Sequence, residues 1–375
     1  MKPSGPHTEP PDSSAGAGDI PEAYRLSTYD YELPENLIAQ EPPARRDESR
    51  LLLISRRTGA IRHHHFRDLP GLLNPSDLLI VNESRVVPAL LKGRKTTGGR
   101  VELLVLDPAR VPETAAASSE ALRLCMVKSS KPVKEGAHII LDADIRLTVQ
   151  ESSGDGRARV SFPCTEETLI SFLEEHGTPP LPPYIKSRDL LRDRNRYQTV
   201  YATCDGSVAA PTAGLHFTDE LMSRLRTRGI QTATLVLHVG PGTFAPIRSE
   251  DIRRHRMETE HYEIPADTAA KIAQTKATGG RVIAVGTTCV RALESAVSPD
   301  GVLQVGRGST DLFIMPGHSF NIVDGLVTNF HLPRSTLLVL ISSFAGNDTI
   351  MEAYSESIKL EYRFYSYGDA CLIAD

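Results

Sequence analysis

Apolar residues along the chain fall into two textures, the second confined to the stretch from Val86 to about Pro163. Leu51 to Ile54 and Leu78 to Val81 are unbroken apolar runs between turn signals, the pattern of strands buried on both faces. A short helical turn is expected from Glu35 to Ala39, after Pro34. From Val86 to about Pro163 the runs become short and alternating: Arg100 to Leu106, Ala121 to Val127, His138 to Leu141, Ile145 to Gln150 and Arg157 to Phe162. Gly98-Gly99, Lys134 to Gly136 and Gly154 to Gly156 mark the turns. Strands at this spacing, with no helix among them, predict a small β-barrel.

Thr165 to His176 returns to helical spacing and leads into TPPLPPYI, read as a hinge. Beyond it helix and strand patterns alternate: helices at Asp219 to Arg228, Asp267 to Ala277, Val290 to Ala296 and Ser335 to Phe344, and strands at Gln231 to Val239, Arg281 to Val285, Asp311 to Met315 and Gly325 to Asn329. Alternation of this kind predicts an α/β domain with a mostly parallel sheet, interrupted by the barrel. The expected organisation is a disordered extension over 1–24, a discontinuous α/β domain over 25–85 and 177–375, and an inserted barrel with its connecting helix over 86–176.

Composition narrows the function classes. With 375 residues, 40% hydrophobic and 24% charged, the chain can build a two-domain core, and no apolar run approaches the roughly 20 residues that span a bilayer. Five scattered cysteines suggest neither disulfides nor zinc, and the first two dozen residues lack the apolar stretch of a secretory signal; a cytoplasmic protein, monomeric, is expected. His63, His64 and His65 are adjacent, and three consecutive residues cannot face one ion in a regular strand or helix, so no metal is expected. A net charge of −5 argues against holding nucleic acid by overall field, leaving local clusters such as Arg94, Lys95 and Arg100, and Lys186 with Arg188.

Candidate chemistry gathers at strand ends. In an open α/β sheet ligands bind beyond the carboxyl ends of the strands. Leu78 to Val81 runs into NESR, with Asn82 and Arg85. The strand from Gln231 runs into HVGPGTF, with His238, Gly240, Gly242 and Thr243, two glycines without the third of a dinucleotide fingerprint. Val282 to Val285 runs into GTTCVR, where Gly286, Thr287, Thr288 and Arg291 suit a carboxylate or phosphate. The strand from Gly325 ends in TNFHLP, with Asn329 and His331. VAAPTAGLHFT adds Pro211, Thr212, Ala213, Gly214 and His216. His216, His331 and His238 are the acid or base candidates.

These motifs, with DLLIVNESRVVPALLKGRK, LVLHVGPGTFAPIR, RVIAVGTTCVRALES, DGLVTNFHLPRSTLLVLISSFAG and YRFYSYGDACLI, resemble the S-adenosylmethionine:tRNA ribosyltransferase-isomerase family of queuosine biosynthesis. The departures are NESRV where NNTRV is usual and Cys289 where serine is common. The resemblance implies an α/β domain interrupted by a barrel. It also implies transfer and isomerisation of the ribosyl group of S-adenosylmethionine onto 7-aminomethyl-7-deazaguanine at the tRNA wobble position, giving epoxyqueuosine, adenine and methionine. S-adenosylmethionine would be a consumed co-substrate, with no permanently bound cofactor. A non-catalytic RNA-binding module and an ordinary methyltransferase are the competing readings, and their products differ.

Overall fold

The structure is a computed structural model that describes residues 20–109, 120–186, 195–244 and 246–375. Its larger body is a nine-stranded sheet. Across the sheet run Gly306–Thr310, Glu260–Ile264, Gln231–Leu237, Leu78–Asn82, Val282–Val285, Gly325–Asn329, Ala370–Ile373, Arg50–Ile54 and Ile61–His65. The four from Gln231–Leu237 to Gly325–Asn329 are mutually parallel. Ala370–Ile373 enters antiparallel to Gly325–Asn329 and parallel to Arg50–Ile54, and antiparallel strands close both edges. The sheet is therefore mixed, with parallel pairing concentrated in its centre.

The continuous apolar runs are central because they feed two cores. Leu78 and Ile80 join the cluster on one face, while Leu79 and Val81 join the cluster on the other. Helices Ala266–Ala277, Thr287–Ser295, Thr336–Ala345 and Asn347–Lys359 bring Ile272, Leu293, Leu340 and Tyr354 to the first face. Asp219–Thr227 brings Leu221 and Leu225 to the second. Its start is fixed by the Thr218 hydroxyl, which accepts from the Leu221 N–H.

The inserted barrel is closed, in the order Arg157–Phe162, Ala121–Ser129, Arg100–Val105, Leu90–Lys95, His138–Ile140 and Arg146–Ser152. Val101, Leu103 and Val105 point inward to a core that Leu169 and Leu173 of helix Leu169–His176 cap. Contacts to the α/β body include the Leu90–Thr178 bridge, the Arg85 guanidinium held by both Asp205 and Glu174, and the Arg157–Glu258 pair at 2.6 Å.

Several elements differ from the sequence expectation. The strand expected at Asp311 to Met315 lies instead at Gly306–Thr310, because the apolar residues after it, Ile314 above all, pack on the core without pairing. Ile61–His65, Glu260–Ile264 and Ala370–Ile373 are strands that the apolar pattern did not mark, two of them outside the parallel centre and half-exposed. Glu35–Leu37 is a 3-10 turn. Of the extension expected to be disordered, residues 20–24 are ordered: Glu22–Tyr24 forms a 3-10 turn and the Tyr24 hydroxyl donates to the Pro316 carbonyl at 3.2 Å. His63 meets Tyr362 at 2.8 Å and Glu356 at 2.9 Å, and no group of three metal-ligating residues occurs among the described residues. No helix among them is long and apolar enough to cross a membrane.

Candidate active site

Because the four central strands are parallel and adjacent, their carboxyl ends open on one edge of the sheet. Two adjoining cavities lie there. The first, of about 380 Å³, is lined by Pro211, Thr212, Ala213, Thr243, Gly286, Thr287, Thr288, Thr328, Asn329 and His331, among others. The second, of about 920 Å³, shares Thr212, Thr243, Asn329, His331 and Leu337 with it and extends over Tyr184, Phe330, Leu332 and Tyr365. Neither is lined by an Asp, Glu, Lys or Arg side chain among the described residues.

Asn329, the last residue of its strand, is held from three sides. Its Oδ1 accepts from the Thr212 hydroxyl at 2.9 Å, and its Nδ2 donates to His216 Nε2 at 3.0 Å and to the Tyr365 carbonyl at 3.4 Å. With Nε2 accepting, the His216 proton sits on Nδ1 and is donated to Ser49 Oγ at 2.7 Å. Phe66 stacks on the imidazole at 4.9 Å. Burial lowers the His216 pKa to about 3, so the ring is neutral. Contrary to expectation, then, His216 does not face the shared crevice. Both its nitrogens are committed, and it stands behind Asn329.

His331 does face it. The ring lines both cavities, its Nε2 lies 2.8 Å from the Thr328 hydroxyl, and its Nδ1 has no partner among the described residues. Its backbone is clamped by two tyrosines: the N–H donates to Tyr354 Oη at 2.8 Å and the carbonyl accepts from the Tyr31 hydroxyl. Burial lowers its pKa to about 3 as well.

Other expected site residues are used elsewhere. Arg291 is buried, donating to the Glu260 carboxylate and to the Leu312 carbonyl at 3.0 Å, while Glu260 Oε1 accepts from the Gly240 N–H at 2.9 Å. Arg291 thus braces the HVGPGTF loop from behind and leaves no guanidinium in the cavity. Asn82 prolongs the sheet ladder, its amide bonded to both N–H and C=O of Leu237 at 3.0 and 2.9 Å. Arg85 belongs to the junction with the barrel. His238 bonds Ser84 Oγ at 2.8 Å, with its ring packed on Gly206, and burial lowers its pKa. Gly214 packs on Tyr201, and Gly242 lies against the Glu258 carboxylate. These positions sit near strand ends, but a strand end has two faces and only one opens on the crevice.

Arg94 and Arg100 are cross-strand partners on the outside of the barrel, with Arg146 in the same row through Ile140. All three are exposed and none pairs with an acidic side chain of a described residue. Lys95 donates to the Lys131 and Pro132 carbonyls, and Lys186 lies at the hinge, its N–H bonded to Gln40 Oε1 at 3.0 Å. Arg188 lies outside the described residues.

Comparison with known proteins now gives this crevice relatives. The family described as "Queuosine biosynthesis protein" matches residues 26–373. The chain belongs to this family. It is 48% identical over 93% of its length to the S-adenosylmethionine:tRNA ribosyltransferase-isomerase of an Anaeromyxobacter species, covering 99% of that protein. It is 49% identical to the protein of the same name from Pelobacter propionicus, again over 93% of this chain and 99% of the other. The crystal structure of an S-adenosylmethionine tRNA ribosyltransferase from Thermotoga maritima shares 37% of residues, with a TM-score of 0.51, over 92% of this chain and 99% of that one. This queuosine-family protein is accordingly an enzyme of the transferase-isomerase class.

Sequence reasoning missed Thr328, Tyr184 and Tyr365 among the cavity-lining residues of this family member. Thr328 carries a signal, since it immediately precedes Asn329 at a strand end. Tyr184 comes from the passage read only as a hinge; its hydroxyl bonds Ser366 Oγ at 2.6 Å and its ring lies 4.7 Å from that of Tyr365. Tyr365 has φ +73°, a strained conformation for a bulky residue, of the kind that collects at functional sites.

Proposed function

We propose that this enzyme transfers and isomerises the ribosyl moiety of S-adenosylmethionine onto 7-aminomethyl-7-deazaguanine at the wobble position of tRNA, forming epoxyqueuosine and releasing adenine and methionine. The observation that carries this reading is His331: a neutral imidazole set between two cavities, with one nitrogen unpartnered and no charged side chain in either lining among the described residues. Family membership supplies the reaction class, and the names of its relatives supply the two substrates.

The chemistry asks for three proton events. The sulfonium acidifies the ribose C5′ hydrogens and a base removes one; an acid assists departure of adenine; and the acceptor amine attacks in its neutral form. In this scheme His331, which burial keeps neutral, accepts the C5′ proton and then returns it to the departing adenine. Asn329, with Thr212, would hold the ribose, and His216 would act through Asn329 as a positioning residue. S-adenosylmethionine is the consumed co-substrate, and the scheme calls for no resident cofactor or metal. The tRNA would be met by local basic groups, Arg94, Lys95 and Arg100 on the barrel and Lys186 at the hinge.

Incubation with S-adenosylmethionine and tRNA bearing the modified base, followed by chromatography of the small products, tests the reading. Adenine plus methionine is expected. S-adenosylhomocysteine would make the protein a methyltransferase, and tRNA binding with no consumption of S-adenosylmethionine would make it a binding module.

A further inference from the structure

The two cavities differ in chemistry, and the difference gives the groove a direction. At one end stands the N-terminus of helix Thr287–Ser295, nine residues long. The Cys289 and Val290 N–H groups turn back to the Gly286 carbonyl, but those of Thr287 and Thr288 have no acceptor among the described residues, and no side chain caps the helix. Beside them the Thr288 hydroxyl, on a residue 8% exposed and next to the Cys289 thiol, is buried without a hydrogen-bond partner among the described residues. A Cβ placed on Gly286 would lie 3.4 Å from that hydroxyl, so the oxygen sits beside the residue that opens the helix. Gly286, at φ +91°, leaves the mouth open, and Thr287 and Thr288 both line the smaller cavity.

An orphan hydroxyl and two orphan N–H groups in a buried site are costly unless something accepts from them. All can donate, the helix dipole favours negative charge there, and Arg291, the cation the sequence suggested, is committed to Glu260. The fitting ligand end is a compact anion that needs no counter-cation from the protein. The opposite end of the groove is apolar, walled by Tyr184, Phe330, Leu332 and Tyr365, and suits a flat, neutral heterocycle.

We propose that S-adenosylmethionine lies along the groove in one direction, its α-carboxylate on the Thr287 and Thr288 N–H groups and the Thr288 hydroxyl, its adenine in the aromatic cleft. The ribose then falls at the residues the two cavities share, Asn329 and His331, where proton transfer is required. This rests on the ribosyl-transfer reading and adds the orientation, with Thr288 as the determinant for the carboxylate.

The test pairs a change in the protein with a change in the ligand, using the full-length chain, S-adenosylmethionine and its decarboxylated analogue in calorimetric titrations. Thr288→Val keeps the shape and removes the hydroxyl, so its Kd for S-adenosylmethionine should rise about tenfold while its Kd for the analogue stays at the wild-type value. Thr288→Ser, which keeps the hydroxyl, should restore S-adenosylmethionine binding, and serves if the valine variant folds poorly. Equal weakening of both ligands, or of neither, would overturn the orientation while leaving the reaction intact. Failure of the wild-type protein to bind either ligand would overturn the ribosyl-transfer reading itself, and the orientation with it.

Discussion

Asn329 Nδ2 donates to Nε2 of His216 across 3.0 Å, and that one bond fixes both the tautomer of the buried imidazole and the rotation of the amide in the crevice. Thr212 Oγ1 and the Tyr365 carbonyl hold the same amide from its other sides, so the crevice receives a rigid polar group whose support comes from Ser49, on the segment that leads into strand Arg50–Ile54.

If His216 acts only through Asn329, their substitutions are not additive. Asn329→Ala should lower the rate of adenine release about 100-fold, His216→Gln less, and the double variant no more than Asn329→Ala alone. Single-turnover adenine release under saturating tRNA measures this. A double variant slower by the product of the two single effects would give His216 a direct role in the chemistry.

His331→Gln should lower kcat by about 10² to 10⁴ with little change in KM for S-adenosylmethionine, since the ring is assigned to proton transfer. Steady-state kinetics decide it, and a change confined to KM would reduce His331 to a binding group.

The two buried histidines make stability dependent on acid. Both pKa values are lowered to about 3 in the fold, against about 6.5 in the unfolded chain, so between these limits the unfolded state binds more protons. The contribution is complete above about pH 6.5 and is lost as pH falls toward 3, at up to about 1.4 kcal/mol per pH unit for each ring. Denaturant unfolding of wild type and His216→Gln across this range should show a shallower slope in the variant.

Arg291 and Glu260 form a buried ion pair, both side chains 5% exposed. Arg291→Met should therefore destabilise the fold by about 3–5 kcal/mol by leaving an unpaired carboxylate, and Arg291→Met with Glu260→Gln should recover part of it. Thermal unfolding of both variants is the measurement. A stable Arg291→Met protein with a raised Kd for S-adenosylmethionine would return Arg291 to the ligand.

For the tRNA contact proposed on the barrel, Arg94→Gln and Arg100→Gln should each reduce the slope of log K against log salt by about one unit. Filter binding across a salt series tests this, and unchanged slopes would make the arginine row an ordinary solvated face.

The central architecture was legible in the sequence because burial leaves a pattern. Leu78 to Val81 and Val282 to Val285 are continuously apolar since both faces of those strands are covered, and the barrel strands alternate since only one face is. The strand ends could be read for the same reason, as polar bursts where a buried strand stops. Thr287, Thr288, Asn329 and His331, which line the smaller cavity, are legible in this way, and Thr212 through the Pro-Gly turn that carries it. The sequence could not say which way each side chain turns once its strand has ended. Arg291 and His216 carry the chemistry of a site, yet one is drawn back by Glu260 and the other lies behind Asn329. Their partners are 31 and 113 residues distant in the chain, so only folding brings them together. Tyr184 and Tyr365 enter the cleft for a like reason, from a hinge and from a strained turn whose positions no local pattern specifies.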